Sequence, residues 1–147
     1  MSSFIVKSEN RVSALAIGIV LLTLGSHARA GDVAVIVNKE NNTSIDKETV
    51  AKIYTGDLKS WKDGTPVMAV DQSETSPVRA SFSADVLGKT VANVKALWAQ
   101  MIFSGKALPP KLAATDDDVK KVVTANKGAI GYIKPSSVDD SVKVVLK

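Results

Sequence analysis

The sequence has no cysteine and only one histidine among its 147 residues. The absence of cysteine excludes disulfides, thiolate catalysis, Cys-ligated zinc and iron–sulfur clusters. The length suffices for one domain of ordinary size but not for two. The single histidine, His27, lies in an N-terminal segment whose pattern sets it apart from the rest of the chain.

Residues 1–30 have the three parts of a secretory signal. A lysine and an arginine lie within the first eleven positions, an 11-residue apolar run covers Ala14–Leu24, and Ala28 and Ala30 give the small-x-small pattern of a cleavage site. Because a bilayer-spanning helix needs roughly 20 apolar residues, the run is short for a membrane anchor, which is the alternative. We expect cleavage after Ala30, a mature domain at 31–147 with no membrane span, and a secreted or periplasmic location.

Loss of the leader changes the charge and the available chemistry. The remaining residues carry 16 Lys+Arg and 14 Asp+Glu, a net charge of +2 that is spread along the chain. Nucleic-acid binding calls for a clustered basic face, so no nucleic-acid partner is predicted. His27 leaves with the leader, which excludes Ser-His-Asp and Cys-His catalysis and His-ligated metal. We therefore predict no catalytic residues, metal or cofactor. An enzyme that uses carboxylates, Lys or Tyr is the third hypothesis, after the two non-catalytic functions given at the end of this section.

The remaining chain alternates apolar, β-branched runs with segments of helical spacing. This alternation predicts α/β layers around a sheet. The predicted strands cover Val33–Val37, Pro66–Val70, Ala129–Ile133 and Val142–Leu146. Helices are predicted from about Asp46 to Tyr54 after an N-cap at Ser44, from Pro77 to about Val86 after Ser76, from Thr90 to Gly105, and from Thr115 onward.

One loop, between the second predicted strand and the second helix, concentrates polar side chains. Ligands of open α/β sheets bind where strands end and helices begin, and a helix N-terminus suits an oxyanion. Ser73, Thr75 and Ser76 supply hydroxyl groups, and Arg79 supplies a planar fork of N–H donors. The alternative is that Ser76 only caps the helix and Arg79 is a solvated surface charge. Under either interpretation Arg79 is expected at the surface, so that its removal hardly changes folding.

Two other groups of residues have both a functional and a structural interpretation. Asp116, Asp117 and Asp118 could suggest a hard cation, but their spacing does not match a calcium loop, and a solvated first helical turn is favoured. Trp61 and Trp98 could stack on a sugar, although such aromatics usually belong to the core.

Three groups of residues occur in an order that resembles a known family. They are Thr43-Ser44-Ile45, Ile53-Tyr54-Thr55-Gly56 and Trp61-Lys62-Asp63-Gly64; then Ser76-Pro77-Val78-Arg79-Ala80-Ser81-Phe82; then Trp98, Phe103, Gly105 and Asn126-Lys127-Gly128-Ala129-Ile130-Gly131-Tyr132. These resemble the motifs of phosphate ABC-transporter substrate-binding proteins, including that family's Ser-Gly-Thr-Arg-x-x-Phe anion loop. The resemblance extends from Val33 to Leu146.

The resemblance implies a layered α/β/α lobe of a type II periplasmic binding protein, with a mixed sheet flanked by helices. It also implies binding of phosphate or a similar oxyanion at Ser73, Thr75, Ser76, Val78 and Arg79. Pro77 and Val78 stand where that loop has Gly and Thr, which removes one N–H and one hydroxyl. The family has two lobes, so a second lobe, a homodimer or a transporter partner is expected to complete the site. The alternative function is an interaction module with a vestigial anion pocket that docks on another envelope protein.

Overall fold

The computed structural model describes residues 32–147, so the predicted cleavage site at Ala28 and Ala30 lies outside the described residues. Within these residues, five strands and four α-helices follow one another. They are β1 (Ala34–Val37), α1 (Lys47–Tyr54), β2 (Met68–Gln72), α2 (Pro77–Asp85), α3 (Val91–Phe103), β3 (Lys111–Ala113), α4 (Asp116–Ala125), β4 (Ala129–Ile133), a 3₁₀ turn (Pro135–Ser137) and β5 (Lys143–Leu146). None of the helices within 32–147 is both long and apolar enough to cross a membrane.

The strands form one mixed sheet in the order β3-β2-β4-β1-β5. β3, β2 and β4 are parallel neighbours, whereas β1 runs antiparallel to β4 and to β5. The carboxyl ends of β2, β3 and β4 therefore meet at one edge of the sheet. This is the α/β fold with a mixed sheet and flanking helices that the sequence predicts.

Apolar side chains fill both faces of the sheet. On one face, α1 and α2 contribute Tyr54 and Phe82, and Phe82 stacks on Tyr132 of β4 with ring centroids 4.0 Å apart. On the other face, α4 packs Val119 and Val123 against the sheet. The approach is so close that a Cβ at Gly131 would lie 2.5 Å from Val119 Cγ1. A glycine in β4 is therefore what lets α4 reach the sheet.

The first helix begins later than the sequence predicts. Its N-cap is Asp46, whose carboxylate accepts a hydrogen bond from the Thr49 amide at 2.8 Å, and not Ser44. Both residue types cap well, and a carboxylate adds a favourable interaction with the helix dipole. Ser44 is exposed two positions before the cap.

The strands at the β3 side of the sheet also differ from the prediction. The sequence predicts β2 at Pro66–Val70, but the strand runs from Met68 to Gln72. The two residues before it pair elsewhere: Pro66 forms a bridge with Ser60, and the Val67 amide donates to Lys59 O at 2.9 Å. β3 was not predicted at all. It has three residues, and only its parallel pairing with β2 defines it as a strand.

We expect Asp46→Ala to lower the melting temperature by a few degrees, because it removes the α1 cap. Hydrogen bonds from Thr49 hold the pKa of Asp46 below its ordinary value. The stabilisation is therefore present above the unfolded pKa of about 4 and is lost as the pH falls through the folded pKa. Thermal unfolding of the wild type and of Asp46→Ala, measured between pH 7 and pH 2, should show the difference in melting temperature becoming smaller as the pH falls. The control, Ser44→Ala, should melt like the wild type. If Ser44→Ala lowered the melting temperature more than Asp46→Ala does, Ser44 and not Asp46 would be the N-cap.

Candidate functional site

The site lies at the edge where three parallel strands end. β2 leads into residues 73–76 and then α2, β3 leads through Ala114 and Thr115 into α4, and β4 leads into Lys134. Two helix N-termini, those of α2 and α4, therefore open toward the same edge. In open α/β sheets this edge is the usual place for a ligand.

Gln72, the last residue of β2, connects the two helix N-termini. Its amide Nε2 donates to Asp116 Oδ1 of α4 and to Tyr132 O, both at 2.9 Å, while its Oε1 accepts from Ser76 Oγ at 2.9 Å. Gln72 is buried, and its bond to Tyr132 O is shielded from water, whereas its bonds with Asp116 and Ser76 are partly buried. Sequence reasoning missed this residue; the available signal was its position at the end of a strand that leads into a helix.

The sequence predicts Arg79 at the surface, but this is wrong: the residue is only 7% exposed. Its Nη2 forms an ion pair with Asp71 Oδ2 at 3.0 Å, and its Nη1 donates to Gln72 O at 2.9 Å. Arg79 is the third residue of α2 and lies in its first turn, where it faces the end of β2. The correction has a physical cause: the carboxylate partner lies inside the sheet, eight positions earlier in the sequence.

Tyr132 completes the environment of Asp71. Its hydroxyl donates to Asp71 Oδ1 and accepts a hydrogen bond from the backbone N–H of Gln72 at 3.1 Å. Burial raises the pKa of Tyr132 above its ordinary value, and the nearby charge of Asp71 raises that pKa further. The phenol therefore stays protonated at neutral pH and serves as a fixed donor to the carboxylate.

The N-terminus of α2 differs from those of the other three helices in residues 32–147. Asp46, Thr90 and Thr115 cap α1, α3 and α4 through their side chains. Ser76 is the N-cap of α2, as predicted, but its hydroxyl turns to Gln72 and makes no cap hydrogen bond.

The first turn of α2 consequently keeps its positive end free. Pro77 lies at the first helical position and has no N–H, and the turn contains no acidic residue. The Val78 amide has no acceptor among the described residues. The partial positive charge of this helix end is thus met neither by a cap nor by a carboxylate of its own turn.

A pocket of about 490 Å³ adjoins this helix end, lined by Ser73, Glu74, Arg79, Leu112, Ala113 and Ala114. It brings together two of the predicted residues, Ser73 and Arg79. Thr75 lies beside them, with its hydroxyl 3.1 Å from Ser73 Oγ. Ser76 is directed to Gln72 instead, and the Val78 side chain is buried, which leaves only its amide as a donor.

Charge is balanced around the pocket. The carboxylate of Glu74 lines it, but Lys95 of α3 pairs with that carboxylate at 2.9 Å. Arg79 is neutralised by Asp71, yet only two of its five N–H groups are used in the bonds described above. The arrangement offers hydrogen-bond donors and a helix dipole rather than net positive charge.

The other residues considered from the sequence are structural. Trp61 and Trp98 are buried, and their indole N–H groups donate to Gly128 O and Tyr54 O at 3.0 Å. Asp116 is more than a solvated first-turn residue, because it also accepts hydrogen bonds from Ser137 Oγ and the Lys134 amide.

The fold is an α/β domain whose candidate pocket lies at a strand-to-helix edge. A family model described as a PBP superfamily domain matches residues 26–144. This chain belongs to the PBP superfamily.

Several solved structures share the fold. A phosphate transport receptor of the ABC type from Vibrio cholerae superposes with a TM-score of 0.62 at 22% identity, over 80% of this chain and 47% of its own. A Clostridium perfringens protein with bound phosphate, assigned as the substrate-binding protein of a phosphate ABC transporter, gives 0.64 at 25% identity over 80% and 45%. PstS from Borrelia burgdorferi gives 0.60 at 17% identity over 78% and 46%. The chain thus spans less than half the length of these neighbours.

We expect Arg79→Met to destabilise the fold by about 3 kcal/mol, because it leaves the buried Asp71 carboxylate unpaired. Adding Asp71→Asn to Arg79→Met should restore at least about 1 kcal/mol, since neither charge then remains buried. Urea unfolding of the two single variants and the double variant measures this coupling.

Lys95→Met is the control for that experiment, because its pair with Glu74 is more than half exposed on both sides. It should change the free energy of unfolding by less than about 1 kcal/mol. Equal costs for Arg79→Met and Lys95→Met would contradict the structural role assigned to the buried pair.

Proposed function

We propose that this domain binds phosphate or a similar oxyanion, without catalysis, at the segment from Ser73 to Arg79. The observation that carries the proposal is the N-terminus of α2, which is uncapped and free of acidic residues beside a pocket lined by Arg79. Membership of the PBP superfamily and the phosphate bound in the Clostridium perfringens neighbour support the same assignment.

The donors suit a tetrahedral oxyanion. All the proposed donors belong to residues 73–79. They are the hydroxyls of Ser73 and Thr75, the Val78 amide and the unused N–H groups of Arg79. An oxyanion accepts several hydrogen bonds at once, and a helix end contributes partial positive charge. Among these donors no nucleophile is paired with a base, which supports recognition rather than bond cleavage as the proposed chemistry.

The same geometry keeps the affinity low. Pro77 offers no N–H, Asp71 compensates the charge of Arg79, and Glu74 adds a carboxylate to the pocket wall. The pocket is also open to solvent, so its hydrogen bonds compete with water. We expect a phosphate dissociation constant on the order of 0.1–10 mM for the isolated domain.

A second surface that closes over Ser73 and Arg79 would exclude water and strengthen each hydrogen bond. We propose that another lobe, a second copy or a transporter partner provides it, and that the domain works outside the cytoplasm with an ABC transporter. The names of the Vibrio and Clostridium neighbours and the secretory pattern of residues 1–30 support this role.

The binding proposal is tested by titrating the purified protein with phosphate. Amide NMR shifts should move most at Val78 and Arg79, and should saturate in the millimolar range. Ser73→Ala combined with Thr75→Ala should weaken binding several-fold, because two hydroxyl donors are removed. Ser44→Ala removes an exposed hydroxyl elsewhere and serves as the control. Saturable NMR shifts confined to amides away from α2 would refute the proposed site. So would the absence of any shift up to 50 mM phosphate, which is about five times the expected upper limit of the dissociation constant.

The charge pair at the pocket allows a test with opposite signs. Glu74→Gln should tighten phosphate binding about two- to fivefold, since it removes a carboxylate near the anion. Lys95→Met should weaken it by a similar factor, because the Glu74 charge is then uncompensated. Calorimetry at low and high salt checks both, and salt should reduce both effects. Shifts of the same sign in the two variants would contradict the assigned electrostatics.

A further inference from the structure

The exposed apolar side chains are concentrated in one part of the described chain. Within residues 32–147, the five large hydrophobic residues that remain exposed are Met68, Ile102, Phe103, Leu108 and Leu112. Four of the five come from the eleven residues 102–112, where α3 ends, a loop follows and β3 begins. Single exposed hydrophobics are ordinary on a protein surface, whereas a concentration of them indicates a site of interaction.

Three of these side chains line a groove of about 740 Å³ at the start of β2. Met68, Ile102 and Leu108 lie around it, and the ring of Trp98 forms part of its wall. Pro109 and Pro110 also line the groove, just before Lys111, the residue that pairs with Val70 of β2. Its volume is in the range of sites that take small molecules.

The charge around the groove has one sign. Lys59, Lys106 and Lys111 line it, and none of its lining residues is acidic. Within residues 32–147, none of these three lysines forms an ion pair with a carboxylate. Lys59 Nζ donates to the Lys106 carbonyl at 2.6 Å, which ties the two sides of the groove together. An apolar groove with unpaired ammonium groups at its rim is complementary to a molecule that is apolar at one end and anionic at the other.

We propose that this groove binds an anionic amphiphile, a medium or long alkyl chain ending in a carboxylate or a similar acid group. The alkyl chain lies against Trp98, Met68 and Ile102, and the acid group meets the lysines. A second copy of the chain fits less well, since a twofold contact would bring two sets of lysines together. The groove lies at the start of β2 and the oxyanion pocket at its end, so this proposal stands independently of phosphate binding.

The experiment uses alkyl carboxylates below their micelle concentrations. Binding is followed by calorimetry and by tryptophan fluorescence, to which Trp98 in the groove wall and Trp61 both contribute. Dodecanoate should bind with one-to-one stoichiometry. Decanoate should bind roughly tenfold more tightly than octanoate, because two further methylene groups are buried. Dodecyltrimethylammonium, with the same chain and the opposite charge, should bind at least tenfold more weakly than dodecanoate. Equal affinity for the two would refute recognition by the lysines.

Two neighbouring substitutions on the last turn of α3 give a matched control. Ile102→Glu places a carboxylate in the groove and should weaken dodecanoate binding at least tenfold. Phe103→Glu makes the same change at a residue that is 96% exposed and does not line the groove, and its affinity should stay within about twofold of the wild type. Circular dichroism establishes that both variants fold. Loss of binding in both variants, or in neither, would overturn the assignment.

Two further measurements separate other occupants of the groove. Flotation with phosphatidylglycerol–phosphatidylcholine vesicles tests contact with a membrane surface, and sedimentation equilibrium tests self-association. Binding to vesicles without binding of monomeric dodecanoate would replace the proposal with a membrane contact. Self-association that Ile102→Glu abolishes, in a protein that binds no dodecanoate, would replace it with a dimer interface.

Discussion

The buried pair of Asp71 and Arg79 is the interaction on which the organisation of the candidate site depends. It joins the end of β2 to the first turns of α2, and Tyr132 joins the same carboxylate to β4. A buried charge is stable only when paired and hydrogen-bonded, so the positions of two strands and one helix become mutually dependent. The uncapped end of α2 is held in place by this arrangement.

That dependence has a consequence for the recognition of anions. A guanidinium that balances a carboxylate contributes donors in fixed directions but little net charge. Gln72 has a comparable function, since it directs the Ser76 hydroxyl away from the helix end that this residue would otherwise cap. The end of α2 is left free because other interactions hold its neighbours, and not because suitable capping residues are lacking.

Sequence reasoning succeeded where local chemistry decides the structure. Ser76 before Pro77 marks a helix start, and the apolar runs mark β1 and β4, because these signals depend on near neighbours. It failed where a distant partner decides. The burial of Arg79 depends on Asp71 in the sheet, and β3 exists only through its pairing with β2. Three residues after two prolines carry too little pattern to identify a strand.

The two ends of β2 show opposite treatments of charge. At its carboxyl end, Arg79 and Glu74 are each neutralised by a partner, so the proposed anion site relies on directed hydrogen bonds and a helix dipole. At its beginning, the lining of the apolar groove includes three lysines and no acidic residue. Screening by salt acts on net charge far more than on short, directed hydrogen bonds. The two proposed sites therefore differ physically in what each offers an anion: directed hydrogen-bond donors at one end, and uncompensated charge beside apolar area at the other.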